Sequence, residues 1–191
     1  MIIMPERLQE LMDELKITSS ETYYHSIHVK SYVCKMIKLT NESKITEYTD
    51  KEIEAICKGA LLHDIGKMYI KNAVLTKPSG LTNDERECII NHTRLSFEAV
   101  ESSLTEFEYD IIKNICLYHH ERCDGLGYNN IYDLPMYVQI VSLCDVFDAL
   151  TTTRVYREAV DDDEAISMIE DGQCGTFSKE ILKFLPYIVE Q

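Results

Sequence analysis

The chain carries six histidines, His25, His28, His63, His92, His119 and His120, and several of them keep company with aspartates. His63 is followed at once by Asp64, His119 and His120 are adjacent, and Asp145 and Asp148 interrupt the apolar stretch VSLCDVFDAL. A lone histidine on a helix is more often a surface or satisfied core residue than a ligand. Six of them in the company of inward aspartates are harder to explain that way. Burying a carboxylate costs several kcal/mol unless it is paired or bound to a metal. Imidazole and carboxylate together suit Mn, Fe, Zn or Ni better than Ca or Mg alone. Neighbours on a helix lie about 100° apart, so an adjacent pair cannot face one ion from mid-helix. Such pairs can serve two ions or turn in at a helix end, which favours a dinuclear site.

These residues need helices to position them. The segment PERLQELMDELKI reads as a short amphipathic helix, with Leu8, Leu11, Met12 and Leu15 as its apolar stripe. A second helix over about 20–40, capped by Ser19 or Ser20, turns Ile27, Val33, Cys34 and Ile37 inward. Asp50 is placed to cap a third that runs to about Gly66. Thr82 with Glu85 and Thr105 with Glu108 are capping boxes, opening helices toward His92 and His120. Residues 67–81 and CDGLGYNNIYDLP read as loop, and Pro135 starts a long helix to about 152. Two shorter helices, at about 161–171 and 178–189, close the chain. No long alternating segment appears, so the expected fold is all-α, a single-domain bundle of about seven to nine helices.

A chain of 191 residues with 45% apolar side chains can bury a real core without staples. The net charge of −14 argues against a DNA or long-RNA binder, which needs a basic stripe. No run of 18 apolar residues predicts a membrane span. Seven cysteines, an odd number without a CxxC pair, and no signal peptide predict reduced, mostly buried thiols in a cytoplasmic protein.

The motifs HVKSYV at 28, LLHDIGKMYI at 61, NHTRLSFEAV at 91, HHERCDGLGYN at 119 and VSLCDVFDALTTTRVYR at 141 carry a specific likeness. With the helices between them, the chain resembles the HD-GYP branch of the HD phosphohydrolase superfamily over about residues 20–185. The resemblance implies an HD-type bundle, with an N-terminal helix at 1–19 and a catalytic domain at 20–191. It implies cyclic di-GMP phosphodiesterase activity, giving the linear dinucleotide, GMP or both, through a metal-bridging hydroxide. Two divalent ions, Fe or Mn before Zn, Ni or Mg, are the implied cofactors. His28, His63, Asp64 and Asp145 would hold one ion, and Asp64 would bridge to a second on His92, His119 and His120. Asp64 and Lys67 take the catalytic roles. Lys67, Arg154 and Arg157 match basic positions for substrate phosphate, although both arginines could instead pair with Asp148 and Glu158.

Gly125, Gly127, Tyr128 and Asn129 form the namesake loop, and Asp148 stands behind the ligands. Asn129 replaces the family proline, which is expected to loosen the turn by freeing φ. Members with three metals carry a glutamate one turn before the first histidine. On the alignment to His28 that position is Tyr24, which predicts two ions and leaves His25 pointing elsewhere. Two dications outweigh Asp64, Asp145 and a hydroxide, so a locally cationic cleft can attract an anion within an acidic chain. The alternatives are another substrate, such as a hybrid cyclic dinucleotide, or a non-catalytic module that binds a cyclic dinucleotide or a regulatory protein partner. Only about 20 residues precede the matching region, so control is expected from a partner, from expression or from parts outside this sequence. Oligomeric state stays open.

Overall fold

A computed structural model describes residues 4–153 and 158–189. Among them are eleven α-helices, two 3₁₀ turns and no strand. The helices are α1 (Glu6–Thr18), α2 (Ser20–Glu42), α3 (Asp50–Leu62), α4 (Asn72–Leu75), α5 (Asn83–Ile90) and α6 (His92–Val100). They continue as α7 (Glu106–Tyr118), α8 (Met136–Thr151), α9 (Asp162–Glu170), α10 (Lys179–Leu182) and α11 (Leu185–Val189). The all-helical reading holds. The count exceeds seven to nine because α4, α10 and α11 are single turns of four or five residues.

Both proposed capping boxes form at α5 and α7. At α3 the cap differs from the expected Asp50. Thr49 accepts from the Glu52 amide, and the Glu52 carboxylate accepts from the Thr49 amide. Asp50 therefore falls in the first turn, where its charge still favours the helix N-terminus. The helix also stops at Leu62, and a 3₁₀ turn over Ile65–Tyr69 follows. Ser19 stands at the α2 cap position without a side-chain cap bond, because its Oγ pairs with Thr22 Oγ1 at 2.8 Å.

Two apolar clusters hold the bundle. The larger joins α2, α3 and α8 through Val33, Ile37, Ile56, Val141 and Phe147, and takes in α9 and α11. The smaller packs Leu8, Leu11, Met12 and Leu15 of α1 against Leu62, Ile65 and Ile112. Each buried aliphatic side chain contributes about 1.5–3 kcal/mol relative to exposure. The inner face of α2 is set by Thr22, His25, Ser26, Val29, Val33 and Met36. Ile27, expected inside, is 37% exposed.

The expectation of seven reduced thiols fails at one pair. Cys34 of α2 and Cys57 of α3 are joined as a disulfide, with Cα atoms 6.0 Å apart. The close packing of these two helices brings together residues 23 positions apart. Cys116 and Cys144 are buried and free.

One buried ion pair links α3 to α7, Lys58 to Glu108. Glu108 also serves the Thr105 capping box. Burial alone would raise its pKa, but the bonds from Lys58 and Thr105 outweigh that and lower it. A group with a depressed folded pKa stabilises above its unfolded pKa, and the contribution fades as pH falls through the folded value. Glu108→Ala should cost about 3–5 kcal/mol in urea unfolding near neutral pH, because it strands a buried ammonium. The difference between variant and wild type should shrink in acid. A pH-independent difference would contradict this account.

Candidate metal centre

The site lies where the C-terminal ends of α3 and α7, the start of α6, the second turn of α2 and the middle of α8 converge. His63 follows the last residue of α3 and His119 the last residue of α7. There the chain departs from regular helix, so adjacent residues can both turn inward. His63, Asp64, His92 and His119 have no exposed surface.

The tautomers follow from the backbone. His63 Nδ1 donates to Ala60 O at 2.8 Å, His92 Nδ1 to Ile89 O, and His119 Nδ1 to Ile115 O and Cys116 O at 3.0 Å. A carbonyl only accepts, so each Nδ1 carries the proton. Each neutral ring then presents a lone pair at Nε2. These lone pairs face one carboxylate. His92 Nε2 is 3.1 Å from Asp64 Oδ1, His119 Nε2 is 3.7 Å from the same oxygen, and His63 Nε2 is 3.4 Å from Oδ2. The Nε2 atoms of His92 and His119 are 3.3 Å apart. His63 Nε2 and Asp64 Oδ1 are buried without a hydrogen-bond partner. Acceptors massed in this way repel one another unless cations lie among them, so the donor set fits divalent metal.

Two groups of side chains are spaced to hold an ion. Asp64, His92, His119 and His120 form one; His25, His63 and Asp145 form the other. Within each, the ligand atoms lie within 4.8 Å of one another. Asp64 stands between them, since its Oδ2 also lies 3.5 Å from His25 Nε2. This pair of groups is consistent with a dinuclear site.

At His119 and His120 the electrostatics favour the neutral ring that a metal needs. Burial, then His63 and His92, keeps His119 neutral, with its pKa lowered to about 4 despite Asp64. Burial also pushes His120 well down, helped by His119. At Asp64 burial acts upward, but Lys67 and His63 outweigh it and hold the carboxyl well below the usual range. Lys67 Nζ lies 2.5 Å from Asp64 Oδ2. Asp145 is held low against its burial by bonds to His25 and His63. Burial would lower His25, yet Asp145 and Asp148 raise it to about 9.

The structure corrects the register on α2. His28, expected as a ligand, is in neither group; its side chain is 49% exposed and its Nδ1 meets Asp148 Oδ1 at 3.1 Å. His25, expected to point elsewhere, is buried, with Nε2 3.0 Å from Asp145 Oδ1 and Nδ1 2.6 Å from Asp148 Oδ2. Val29, Val33 and Met36 define the inner face, and His25 continues it one turn earlier. Asp148 stands behind both rings. Tyr24 is half exposed, and the residue one turn before His25 is Glu21, a carboxylate lining a cavity with Lys67. Glu21 is thus a carboxylate one turn before His25, but it is exposed and belongs to neither group, and the two groups stay consistent with a dinuclear site. Arg154 and Arg157 lie outside the described residues.

The sequence model described as HD domain matches residues 22–150. The chain belongs to the HD-domain/HD-GYP superfamily. It is 36% identical over 145 residues to the cyclic di-GMP phosphodiesterase response regulator RpfG of Xanthomonas campestris, covering 74% of this chain and 36% of that protein. It is 33% identical over 139 residues to 3′3′-cGAMP-specific phosphodiesterase 3 of Vibrio cholerae, covering 68% of this chain and 30% of that protein. The chain thus spans about a third of the length of these relatives. Bd1817 of Bdellovibrio bacteriovorus, an HDG"Y"P protein, shares the fold with a TM-score of 0.66 at 19% identity, over 87% of this chain and 52% of that one.

In this HD-GYP chain the namesake loop is tied to Glu121, which is 1% exposed. Glu121 Oε1 accepts from the Asn129 amide at 2.7 Å and from Asn129 Nδ2 at 3.0 Å, and Oε2 accepts from the Ile131 amide at 3.1 Å. Asn129 therefore does not loosen the turn: both bonds are ones a proline cannot make. Gly127 makes room for Glu121, since a Cβ there would sit 2.5 Å from the Glu121 Cα. Gly125 has φ +72°, a left-handed conformation suited to glycine. The Tyr128 ring rests on His120, with centroids 4.6 Å apart. Arg122 ties the end of α7 to α8 and to the segment before α10, through His119 O, Ser142 Oγ and Cys174 O.

Sequence reasoning missed Glu121, Arg122 and Gly66. A Cβ on Gly66 would sit 2.3 Å from His92 O, so only glycine lets the 3₁₀ turn pack on the start of α6. The signal was present, as Glu121 and Arg122 lie inside the quoted HHERCDGLGYN block.

Metal analysis of purified variants checks the register. His25→Ala should lose one ion or more per chain, and His28→Ala should keep the wild-type content; the reverse pattern would restore the original alignment. Asn129→Pro should lower stability by about 1–3 kcal/mol, read by chemical denaturation, because a buried carboxylate oxygen loses both donors.

Proposed function

We propose that this chain is a metal-dependent phosphodiesterase acting on a cyclic dinucleotide, cyclic di-GMP first. The observation that carries the reading is the convergence of two ligand groups on the buried carboxylate of Asp64, whose Oδ1 has no hydrogen-bond partner. Asp64, His92, His119 and His120 would hold one divalent ion, and His25, His63 and Asp145 a second, with Asp64 shared. Bound divalent ions supply Lewis-acid charge at a phosphoryl group and activate water at neutral pH.

The chain's own residues do the rest. The backbone carbonyls fix three imidazoles with Nε2 toward the centre. Asp148 orients His25 from behind. Lys67 lies on the Asp64 carboxylate at the edge of a cavity it shares with Glu21, placed to offset charge on a non-bridging phosphate oxygen. Fe or Mn remains the first expectation for the metal, and Arg154 and Arg157 are retained as candidate phosphate contacts. The similarity to a relative named for 3′3′-cGAMP supports that hybrid as the second substrate reading. No helix among the described residues is long and apolar enough to cross a membrane.

The test is hydrolysis of a cyclic dinucleotide panel after anaerobic loading with Mn or Fe, with products separated by chromatography. Turnover of cyclic di-GMP to the linear dinucleotide or GMP is expected. Protein that holds two ions and cleaves no member of the panel would sink the reading. Asp64→Ala should lose both metal and turnover. Lys67→Met should keep its metal and lose roughly 100-fold in kcat, the scale for removing one preorganised charge-stabilising group.

A further inference from the structure

A cavity of about 500 Å³, with His120 in its lining, opens between α5, the namesake loop and the turn after α9. Arg86, His120, Asp124, Tyr128, Gly172 and Gly175 are among its lining residues. Arg86 sits on α5 and is exposed, and its guanidinium makes no hydrogen bond or ion pair among the described residues. It shares the cavity lining with the Tyr128 ring. Tyr128 rests on His120, which belongs to one of the two metal-fitting groups. A molecule bound at those groups would therefore extend into this cavity past an aromatic ring and a free planar cation.

A second phosphate is one candidate for that cation, but the surroundings favour a base. Arg122 lines the same cavity, yet its Nε and Nη1 donors go to Cys174 O, His119 O, Glu121 O and Ser142 Oγ. The Asp124 carboxylate, fixed by the amides of Leu126 and Thr176, faces the cavity as well and would repel an anion. Gly172 presents no side chain, and a Cβ there would meet nothing within 4 Å, so the lining is open at that point. The polar inventory is the free Arg86 fork, the Nη2 donors that remain on Arg122, the Asp124 acceptor and one stacking surface. Guanine matches it: O6 and N7 accept from an arginine fork, N1–H and N2–H₂ donate to a carboxylate, and the ring stacks. Adenine presents a donor at N6 where guanine has O6, so it would meet Arg86 donor to donor.

We infer that this cavity is a guanine pocket, with Arg86 as the residue that sets base preference and Tyr128 as its stacking platform. The inference rests on the cyclic dinucleotide reading and deepens it by naming one base. One such pocket admits cyclic di-GMP and a guanine–adenine hybrid and disfavours cyclic di-AMP.

The test compares metal-loaded wild type with Arg86→Gln and Arg86→Met, after metal content and thermal unfolding have been matched. Glutamine reads adenine N6 and N7. Arg86→Gln should therefore lower kcat/KM for cyclic di-GMP relative to cyclic di-AMP by roughly 10- to 100-fold. Arg86→Met should lose the guanine preference without gaining adenine. Calorimetric titration with GMP and AMP gives a readout independent of turnover, in which wild type favours GMP and Arg86→Gln does not. An equal loss on both cyclic dinucleotides would make Arg86 a phosphate contact and overturn the inference, as would an unchanged ratio. Wild type that cleaves nothing but still prefers GMP would defeat the phosphodiesterase reading and leave the pocket standing.

Discussion

The rest of the structure is arranged around the burial of Asp64. A carboxylate with no exposed surface faces three imidazole lone pairs and a single lysine. In a medium that screens poorly, that arrangement is tolerable only with positive charge at its centre. Local features of the fold keep it from relaxing. Helix α3 ends at Leu62, so His63 and Asp64 leave the helical register together. Gly66 then lets the following turn sit directly on the α6 backbone, and its amide donates to Ser96 Oγ at 2.9 Å. His92 and Asp64 are thereby held face to face by backbone packing, not by the flexibility of their side chains.

The fold was legible where a signal is local. The Thr82–Glu85 and Thr105–Glu108 boxes could be read from four residues each, and both form. The leucine stripe of α1 is likewise buried as its spacing required. The register of α2 was harder, because two histidines three positions apart both suit a helix that skirts a metal site. Matching the motif HVKSYV at 28 put His28 in the ligand position. Val29, Val33 and Met36 put His25 on the inner face, and only the packing of α2 on α8 decides between the two. Lys58 and Glu108 were invisible for another reason. Partners 50 residues apart leave no periodic trace in the sequence, and a buried lysine reads as a surface one.

The namesake loop shows how a departure from a motif can be compensated nearby. A proline would fix φ at position 129 and remove a donor. Asparagine gives up the fixed φ and supplies two donors, and both reach the same buried oxygen of Glu121. The loop is thus held by hydrogen bonds to a carboxylate that immediately follows the His119–His120 pair. Loop and ligands are joined through this anchor and through the Tyr128 ring on His120, so a change in the loop reaches the histidines by both.

The acidity of the whole chain and the attraction of an anion are compatible because they act at different distances. The net charge of −14 is spread over a surface where salt screens beyond about 10 Å. Near the centre, Lys67 borders one cavity and Arg86 another. On the proposed reading, ions at the paired ligand groups would add to that local positive charge. The acidic exterior would slow the encounter without weakening what happens at contact, because those short-range charges lie among low-dielectric walls.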